Sequence, residues 1–339
     1  MKIGVSVWGT CLTKSGSSDW LPIRMLIEAG HSIAPVSSGD IDVYIAFEHY
    51  PEPARIAAIT VPVEKRILVS FEPRTVNPLM YNLEQRSGYG KVLVPSKQHR
   101  LRPEEQVYFG GGLTTKEELE NHLAKYGDRA RTPQSVALIN ENKFSLVPGS
   151  LYTLRSRTVS KFSRAKVEIN LAGANWDKPA RWWLSSQAYA LLQCVGARQK
   201  IDFRLLRLPR KLNAKYVKYS GKVASSVEFQ SRFKYSIVIE NEASYVTEKL
   251  FNAIQAGCVP IYCGPRLEDF GIPTDVAIQT APSSRAILDA ILTTESQTAD
   301  EVVSNGRAWI QEPETQNRFG HESSFRRIGQ MLVEELQRF

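Results

Sequence analysis

The chain has 339 residues, enough for two α/β domains, each with its own core. Its composition is ordinary for a globular protein, with no low-complexity tract and no solenoid-period repeat, which excludes fibrous and repeat architectures. A formal net charge of +8 favours anionic partners: nucleotide phosphates, a polyanionic glycan, an anionic membrane leaflet or nucleic acid.

Nucleic acid is set aside because no RNP-like aromatics, zinc finger or basic zipper accompany the charge. The amino-terminal MKIGVSVWG runs straight into strand pattern, and no long apolar span follows. The expectation is therefore a soluble, cytoplasmic protein. Cys11, Cys194, Cys258 and Cys263 form no CxxC pair and have no histidine at ligand spacing, so free thiols are expected and a zinc site is not. The histidines, His31, His49, His99, His122 and His321, are scattered.

In chain order, Lys2–Val7 reads as a strand, Leu21–Ala29 as a helix stopped by Gly30, and Asp42–Phe47 as a second strand. A helix over Glu52–Thr60 starts at its prolines, Lys65–Phe71 is a third strand and Lys91–Val94 a fourth. Tandem βα units of this kind predict a Rossmann-like first domain. Tyr108–Gly112, YFGGG, precedes a helix over Leu113–Tyr126 with a capping box from Thr115 to Glu118. Those glycines could bring backbone close to phosphate or form only a turn, since no Walker lysine follows. The polar, proline-broken Asp128–Gln134 is the best linker, so a second domain is expected to run over 134–320 after a first over 1–133. Ser135–Asn140 is its first strand, Leu151–Ser163 a helix and Val167–Leu171 another strand. Phe325, Ile328, Met331, Leu332 and Leu336 share one face of a closing helix within 321–339, which could cross back onto the first domain.

The centre of the second half is Phe233–Pro265, FKYSIVIENEASYVTEKLFNAIQAGCVPIYCGP. Tyr235–Ile239 is an apolar run of the kind buried on both faces of a parallel sheet. Val246, Leu250 and Ile254 then recur at helical spacing, Gly257 supplies a left-handed stop, and Val259–Tyr262 is the next buried strand. Glu240 and Asn241 fall at the carboxyl end of a strand, where open α/β sheets bind ligands. Thr247, Glu248 and Lys249 fall in the first helical turn, where free N–H groups favour an anion. Lys249 gains nothing from the dipole there, so either an anionic ligand or simple solvation accounts for it.

This stretch resembles the signature of the α1,3-fucosyltransferases, glycosyltransferase family ten. The resemblance rests on Phe233, Lys234, Tyr235, Glu240-Asn241, Tyr245-Val246-Thr247-Glu248-Lys249-Leu250, Ala256-Gly257, Val259-Pro260-Ile261 and Gly264-Pro265. The gap from Asn241 to Tyr245 is shorter than in the animal members, and no membrane anchor precedes the domain, which is similar to a bacterial form. It implies the two-domain α/β architecture called GT-B, two Rossmann-like domains facing across a cleft. It also implies GDP-fucose as donor and inverting transfer to a glycan hydroxyl, such as O3 of a GlcNAc- or Glc-type residue.

Such a transfer needs a base for the acceptor proton, positive charge for the departing diphosphate and a hold on the nucleotide. Glu72, ending KRILVSF, and Glu48, ending DVYIAF, both suit a base at a strand's carboxyl end. FEPRTVNP resembles the family's acceptor segment, which favours Glu72, with Glu48 and His49 in reserve. For the diphosphate, Lys249 is joined by Arg155 and Arg157 in GSLYTLRSRTVSKF, similar to a family segment carrying a donor-phosphate arginine, with Arg155 the better match. Glu248 suits the ribose hydroxyls, a role the family also implies. Tyr245, Asn241, Glu240, Thr247 and Asn142, with Lys143, complete the expected donor side. Gly173 and Trp176 in NLAGANW resemble another family segment, with Ala172 where tyrosine is usual.

Asp40-Ile41-Asp42 has the DxD spelling of metal–nucleotide sites, but it precedes a first-domain strand, and a polar strand start is the simpler reading. No metal or cofactor is expected to be required, with divalent ions at most stimulatory. The basic run Arg198, Lys200, Arg204, Arg207, Arg210, Lys211, Lys215, Lys218 and Lys222, with Leu205, Leu206 and Leu208, is either a solvated face or a contact with the inner membrane surface. The expected partners are GDP-fucose and an oligosaccharide or lipid-linked acceptor. The alternatives are a transferase of the same architecture using another nucleotide sugar, and a non-catalytic glycan- or nucleotide-binding homologue.

Overall fold

A computed structural model describes residues 1–7, 20–78, 81–94, 112–126, 132–143, 145, 147–177 and 215–339. Cys11, Cys194, His99, most of the YFGGG run, most of the expected linker and the basic run from Arg198 to Lys211 lie outside these residues. By internal contacts the chain divides into two compact units, 1–116 with 311–339, and 117–310.

The first unit is built on a parallel sheet of β1 (Lys2–Val7), β2 (Ser32–Pro35), β3 (Val43–Phe47), β4 (Arg66–Val69) and β5 (Lys91–Leu93). The strand order is β2-β1-β3-β4-β5, so the chain reverses direction across the sheet between β1 and β3. Alternate residues face opposite layers. Ile3, Val5, Val43, Ile45, Phe47, Ile67 and Val69 pack with Ile23 and Leu26 of α1 (Leu21–Glu28). Tyr44, Ala46, Leu68 and Val92 face the other way, onto Ala57 of α2 (Pro51–Thr60). A short α3 (Leu83–Arg86) leads into β5.

Ile328, Leu332 and Leu336 of the last helix, His321–Leu336, join the α1 layer, so this unit draws on both ends of the chain. Gly329 lies against Met25 of α1, where a Cβ would collide with the thioether. β2 escaped the sequence analysis because a four-residue edge strand offers too short a pattern.

The second unit opens with α4 (Lys116–Tyr126), whose first residue belongs to the other unit, and carries a six-stranded parallel sheet. Its strands are β6 (Thr132–Ile139), β7 (Ile169–Ala172), β8 (Val217–Tyr219), β9 (Phe233–Ile239), β10 (Val259–Cys263) and β11 (Ile278–Gln279). The order is β11-β10-β9-β6-β7-β8. Val136, Leu138, Tyr235, Ile237, Ile239, Val259 and Ile261 face α5 (Tyr152–Arg164) and the later helix Ser284–Thr293. Ala137 and Ala172 face Phe229 of α6 (Ser226–Gln230), which packs beside α7 (Glu248–Gln255).

The remaining helices are α8 (Ser284–Thr293), α9 (Ser296–Gln311), α10 (Pro313–Phe319) and α11 (His321–Leu336). α7 starts later than its apolar spacing suggests, because Val246 packs from the preceding loop. The predicted boundaries of β9 and β10 agree to within two residues.

Candidate functional site

The switch point of the second sheet lies between β6 and β9, since the chain runs to β8 on one side and returns on the other. Crevices for ligands open at the carboxyl ends of such strands. An open pocket of about 200 Å³ lies there, lined by Ile139 at the end of β6, Asn140 and Glu141 after it, Gly173 after β7, Ser236, Ile237 and Val238 on β9, Ser226 and Gln230 on α6, and Glu248, Lys249 and Asn252 on α7.

Glu240 follows β9 and is fully buried. A buried carboxylate needs donors. Its Oε1 accepts from the Thr247 N–H at 3.0 Å and its Oε2 from the Thr247 hydroxyl at 2.6 Å. Burial raises the Glu240 pKa, while Lys249 and Thr247 oppose the rise. Thr247 is also the N-cap of α7, its oxygen accepting from the Lys249 N–H at 3.4 Å. The same oxygen accepts from Lys249 Nζ at 3.0 Å, and Nζ lies 3.4 Å from Glu248 Oε1. Lys249 holds the Glu248 carboxyl below its usual range. Lys249 Nζ thus stands in the first turn of a helix at the pocket wall, beside an exposed carboxylate.

Arg155 lies beneath this arrangement, 2% exposed. Its Nη2 donates to the Ile239 and Glu240 carbonyls, each at 3.2 Å, and to Asn241 Oδ1 at 2.8 Å, while Nη1 donates to the Glu141 carbonyl at 3.3 Å. Burial pulls its pKa down to about 10, so it stays charged at neutral pH. Arg155 does not line the pocket; its guanidinium joins the ends of β6 and β9 from below. Arg157 is exposed on the same helix.

Asn241 is held by Arg155, and its carbonyl accepts from the Leu151 N–H at 3.0 Å. Asn142 donates to the Asn175 carbonyl at 3.1 Å and Asn175 to Glu141 Oε1 at 2.8 Å, tying the segments after β6 and β7 together. Lys143 pairs with Glu141 at 2.6 Å. Trp176 is buried with its Nε1–H on the Asn140 carbonyl at 2.7 Å. Gly173 has φ +113°, and a Cβ there would strike that carbonyl. Tyr245 lies half-buried in the loop ahead of α7.

Of the expected donor residues, Glu248 and Lys249 line the pocket, and Thr247 and Glu240 support them. Asn140, Gln230, Ser236 and Asn252 were missed. Ser236 had a visible signal, a serine inside the apolar run Tyr235–Ile239. It donates to Gln230 Oε1 at 2.5 Å, so the two form one polar patch on the pocket wall. Asn252 follows Glu248 by one helical turn.

In the first unit, Glu72 follows β4 and is half-buried. Glu48 follows β3 and is 2% exposed, with φ +75°. Its Oε1 accepts from the Ser70 hydroxyl at 2.9 Å, the Phe71 N–H at 2.6 Å and the Glu72 N–H at 3.0 Å, and its Oε2 from Asn77 Nδ2 at 3.2 Å. Burial is the leading influence on its pKa, which is raised. His49 is buried with Nδ1 at 2.8 Å from the Tyr89 hydroxyl.

Asp40 and Asp42 sit before β3 and hold Lys2 at the start of β1. Asp42 Oδ2 accepts from the Lys2 N–H at 2.7 Å, and Asp40 Oδ2 pairs with Lys2 Nζ at 3.2 Å. This is the polar strand start, at the sheet end opposite Glu48 and Glu72. Cys258 and Cys263 are buried, with the Cys258 thiol 3.1 Å from the Gln230 carbonyl, and Lys215, Lys218 and Lys222 are exposed. Among the described residues no helix is long and apolar enough to cross a membrane.

Two α/β units, each built on a parallel sheet with a switch point, define the class by fold: the GT-B fold, as expected from the sequence. Anabaena HepE, solved with UDP and glucose, shares this fold at a TM-score of 0.54 over 100% of this chain and 99% of that one, with 12% identity. An α1,3-fucosyltransferase solved with GDP aligns at a TM-score of 0.49 and 14% identity, over 99% of this chain and 90% of that one. A protein of Arabidopsis thaliana described as fucosyltransferase-like is 39% identical over 100 residues, which spans 26% of this chain and only 19% of that protein. No protein-family model matches the chain.

Proposed function

We propose that this protein is an inverting fucosyltransferase moving fucose from GDP-fucose to a glycan hydroxyl, such as O3 of a GlcNAc- or Glc-type residue in a surface-glycan precursor. The observation that carries the reading is Lys249, set by Thr247 in the first turn of α7 at the wall of a switch-point pocket, with Glu248 next to it. Ammonium and helix N–H groups together suit a diphosphate, and the exposed Glu248 carboxylate suits ribose hydroxyls. The motif over Phe233–Pro265 and the partial likeness to the Arabidopsis protein support fucose as the sugar.

In this reading Glu72 takes the acceptor hydroxyl proton as that oxygen attacks the anomeric carbon. The bond from that carbon to the diphosphate breaks on the opposite face, and GDP departs with its new charge balanced by Lys249. Arg155 holds the ends of β6 and β9 in place and adds a buried positive charge beneath them. A direct phosphate contact would require it to release carbonyls it now holds. Asn142, Asn241 and Tyr245 would shape the loops around the donor. No divalent cation is assigned to the step, because the DxD carboxylates are engaged with Lys2.

A second reading is transfer from another nucleotide sugar, favoured by the fold shared with HepE, whose structures contain UDP and UDP-glucose. Incubating the full chain with a panel of nucleotide sugars and measuring nucleotide release separates the readings. GDP-fucose alone should be turned over; turnover of a UDP-sugar instead would replace the donor, and no turnover of any would leave a binding protein. Peripheral contact with anionic membrane would be read by co-sedimentation with anionic vesicles.

A further inference from the structure

Glu48 is a buried carboxylate that the proposed transfer does not use. It sits at the carboxyl end of β3, next to the switch point of the first sheet, in a left-handed conformation uncommon for a residue with a side chain. Such a conformation costs free energy and persists where the surroundings over-determine it. Here they do: four donors from residues 70–77 converge on its two oxygens.

Those donors belong to the turn that carries Glu72. The Glu72 N–H donates to Glu48 Oε1, and the Glu72 carbonyl accepts from the Tyr81 hydroxyl at 3.0 Å. Both main-chain groups of residue 72 are therefore anchored. Pro73 follows and restricts the chain direction, and its carbonyl accepts from the Val76 and Asn77 N–H groups. Asn77 closes the ring by returning to Glu48 Oε2. The half-buried Glu72 side chain thus projects from a backbone with little freedom left.

We infer that Glu48 is a positioning residue for Glu72: its carboxylate gathers the amides of Phe71 and Glu72, the Ser70 hydroxyl and the Asn77 amide, and so fixes the Cα from which Glu72 reaches the acceptor. The inference rests on the proposed role of Glu72 as base. A base displaced by about an ångström loses on the order of a hundredfold in rate without any change in its own chemistry.

The test compares Glu48→Ala, Glu48→Gln, Asn77→Ala and Glu72→Gln in the full chain, reading transfer kcat, KM for GDP-fucose and melting temperature. Glu48→Ala should lower kcat by roughly ten- to a hundredfold with KM within about threefold of wild type. Glu48→Gln keeps an oxygen for the Phe71 and Glu72 amides and should recover most of that loss. Asn77→Ala should show a smaller kcat defect of the same kind, and it decides the matter if Glu48→Ala does not fold. Lowered melting temperature with kcat of the folded protein unchanged would overturn the inference, leaving Glu48 a structural cap only. A Glu48→Gln protein as inactive as Glu72→Gln would also overturn it, because the carboxylate itself would then be doing chemistry. Normal turnover in Glu72→Gln would instead remove the base assignment, whatever the Glu48 variants do.

Discussion

Both carboxylate oxygens of Glu240 are engaged by Thr247, Oε1 through the main-chain N–H at 3.0 Å and Oε2 through the hydroxyl at 2.6 Å. The hydroxyl gives its proton to Glu240, which leaves its lone pairs for the Lys249 N–H and ammonium. One threonine therefore caps the helix, satisfies a buried acid and aims the lysine.

Replacing Thr247 by valine should remove all three contacts of the hydroxyl while keeping the shape. The lost cap and the under-satisfied buried carboxylate together predict a stability loss of about 2–4 kcal/mol. GDP affinity should also weaken as Lys249 loses its guide. Thr247→Ser should retain most of both, and denaturant melts with calorimetric GDP titrations on the two variants check this.

Lys249→Ala should leave the fold intact and weaken GDP binding by about 1.5–3 kcal/mol, the worth of a charge-assisted contact. Turnover should fall further, since charge grows on the diphosphate as the bond breaks. Arg155→Ala should differ, because it strips the Ile239, Glu240 and Glu141 carbonyls of a buried donor and should first lower the melting temperature. A stable Arg155→Ala protein that has lost only GDP affinity would return the phosphate contact to Arg155.

Glu72→Gln should lower transfer by roughly two to four orders of magnitude while GDP affinity stays near wild type. Loss of GDP binding in that variant would argue against Glu72 as an acceptor-side group.

The pH dependence of stability follows from Glu240. Burial raises its folded-state pKa above the unfolded value, so the folded state binds its proton more tightly. Its contribution is most favourable below the unfolded pKa and declines as pH rises through the raised one. The difference in unfolding free energy between wild type and Glu240→Gln should therefore shift toward the variant as pH rises from about 4. A difference independent of pH would mean that the carboxylate is fully compensated by Lys249 and Thr247.

Transfer should persist in EDTA, because the candidate charge for the leaving group is Lys249 and the DxD carboxylates stand beside Lys2 at the sheet end opposite Glu72. Abolition of turnover by EDTA with restoration by manganese would reopen a metal role for Asp40 and Asp42.

Much of the candidate site was legible in the chain. A buried strand, a polar turn and a capped helix lie within Phe233–Cys263, and local pattern placed Glu240, Thr247, Glu248 and Lys249 near one another. The rest of the pocket wall was not legible. Asn140, Gln230 and Ser236 come from β6, α6 and β9, and a polar residue at a strand end or on a short helix looks like any solvated one. The last helix showed its apolar stripe plainly, but the stripe does not say which surface it covers; α11 lies on α1, made possible by a glycine beside Met25.

The sequence by itself determined the α/β class, the parallel βαβ unit and the first-turn position of Lys249, because apolar period, capping residues and glycine stops act over a few residues at a time. Only the tertiary structure decided the work of the buried charges. Arg155 and Glu48 read from sequence as groups free to meet a ligand, yet the fold encloses both. Enclosed charge must find partners, so Arg155 spends its donors on the ends of β6 and β9, and Glu48 spends its oxygens on the turn that carries Glu72. Those partners lie 14 to 86 positions away in the chain, beyond the reach of any local pattern.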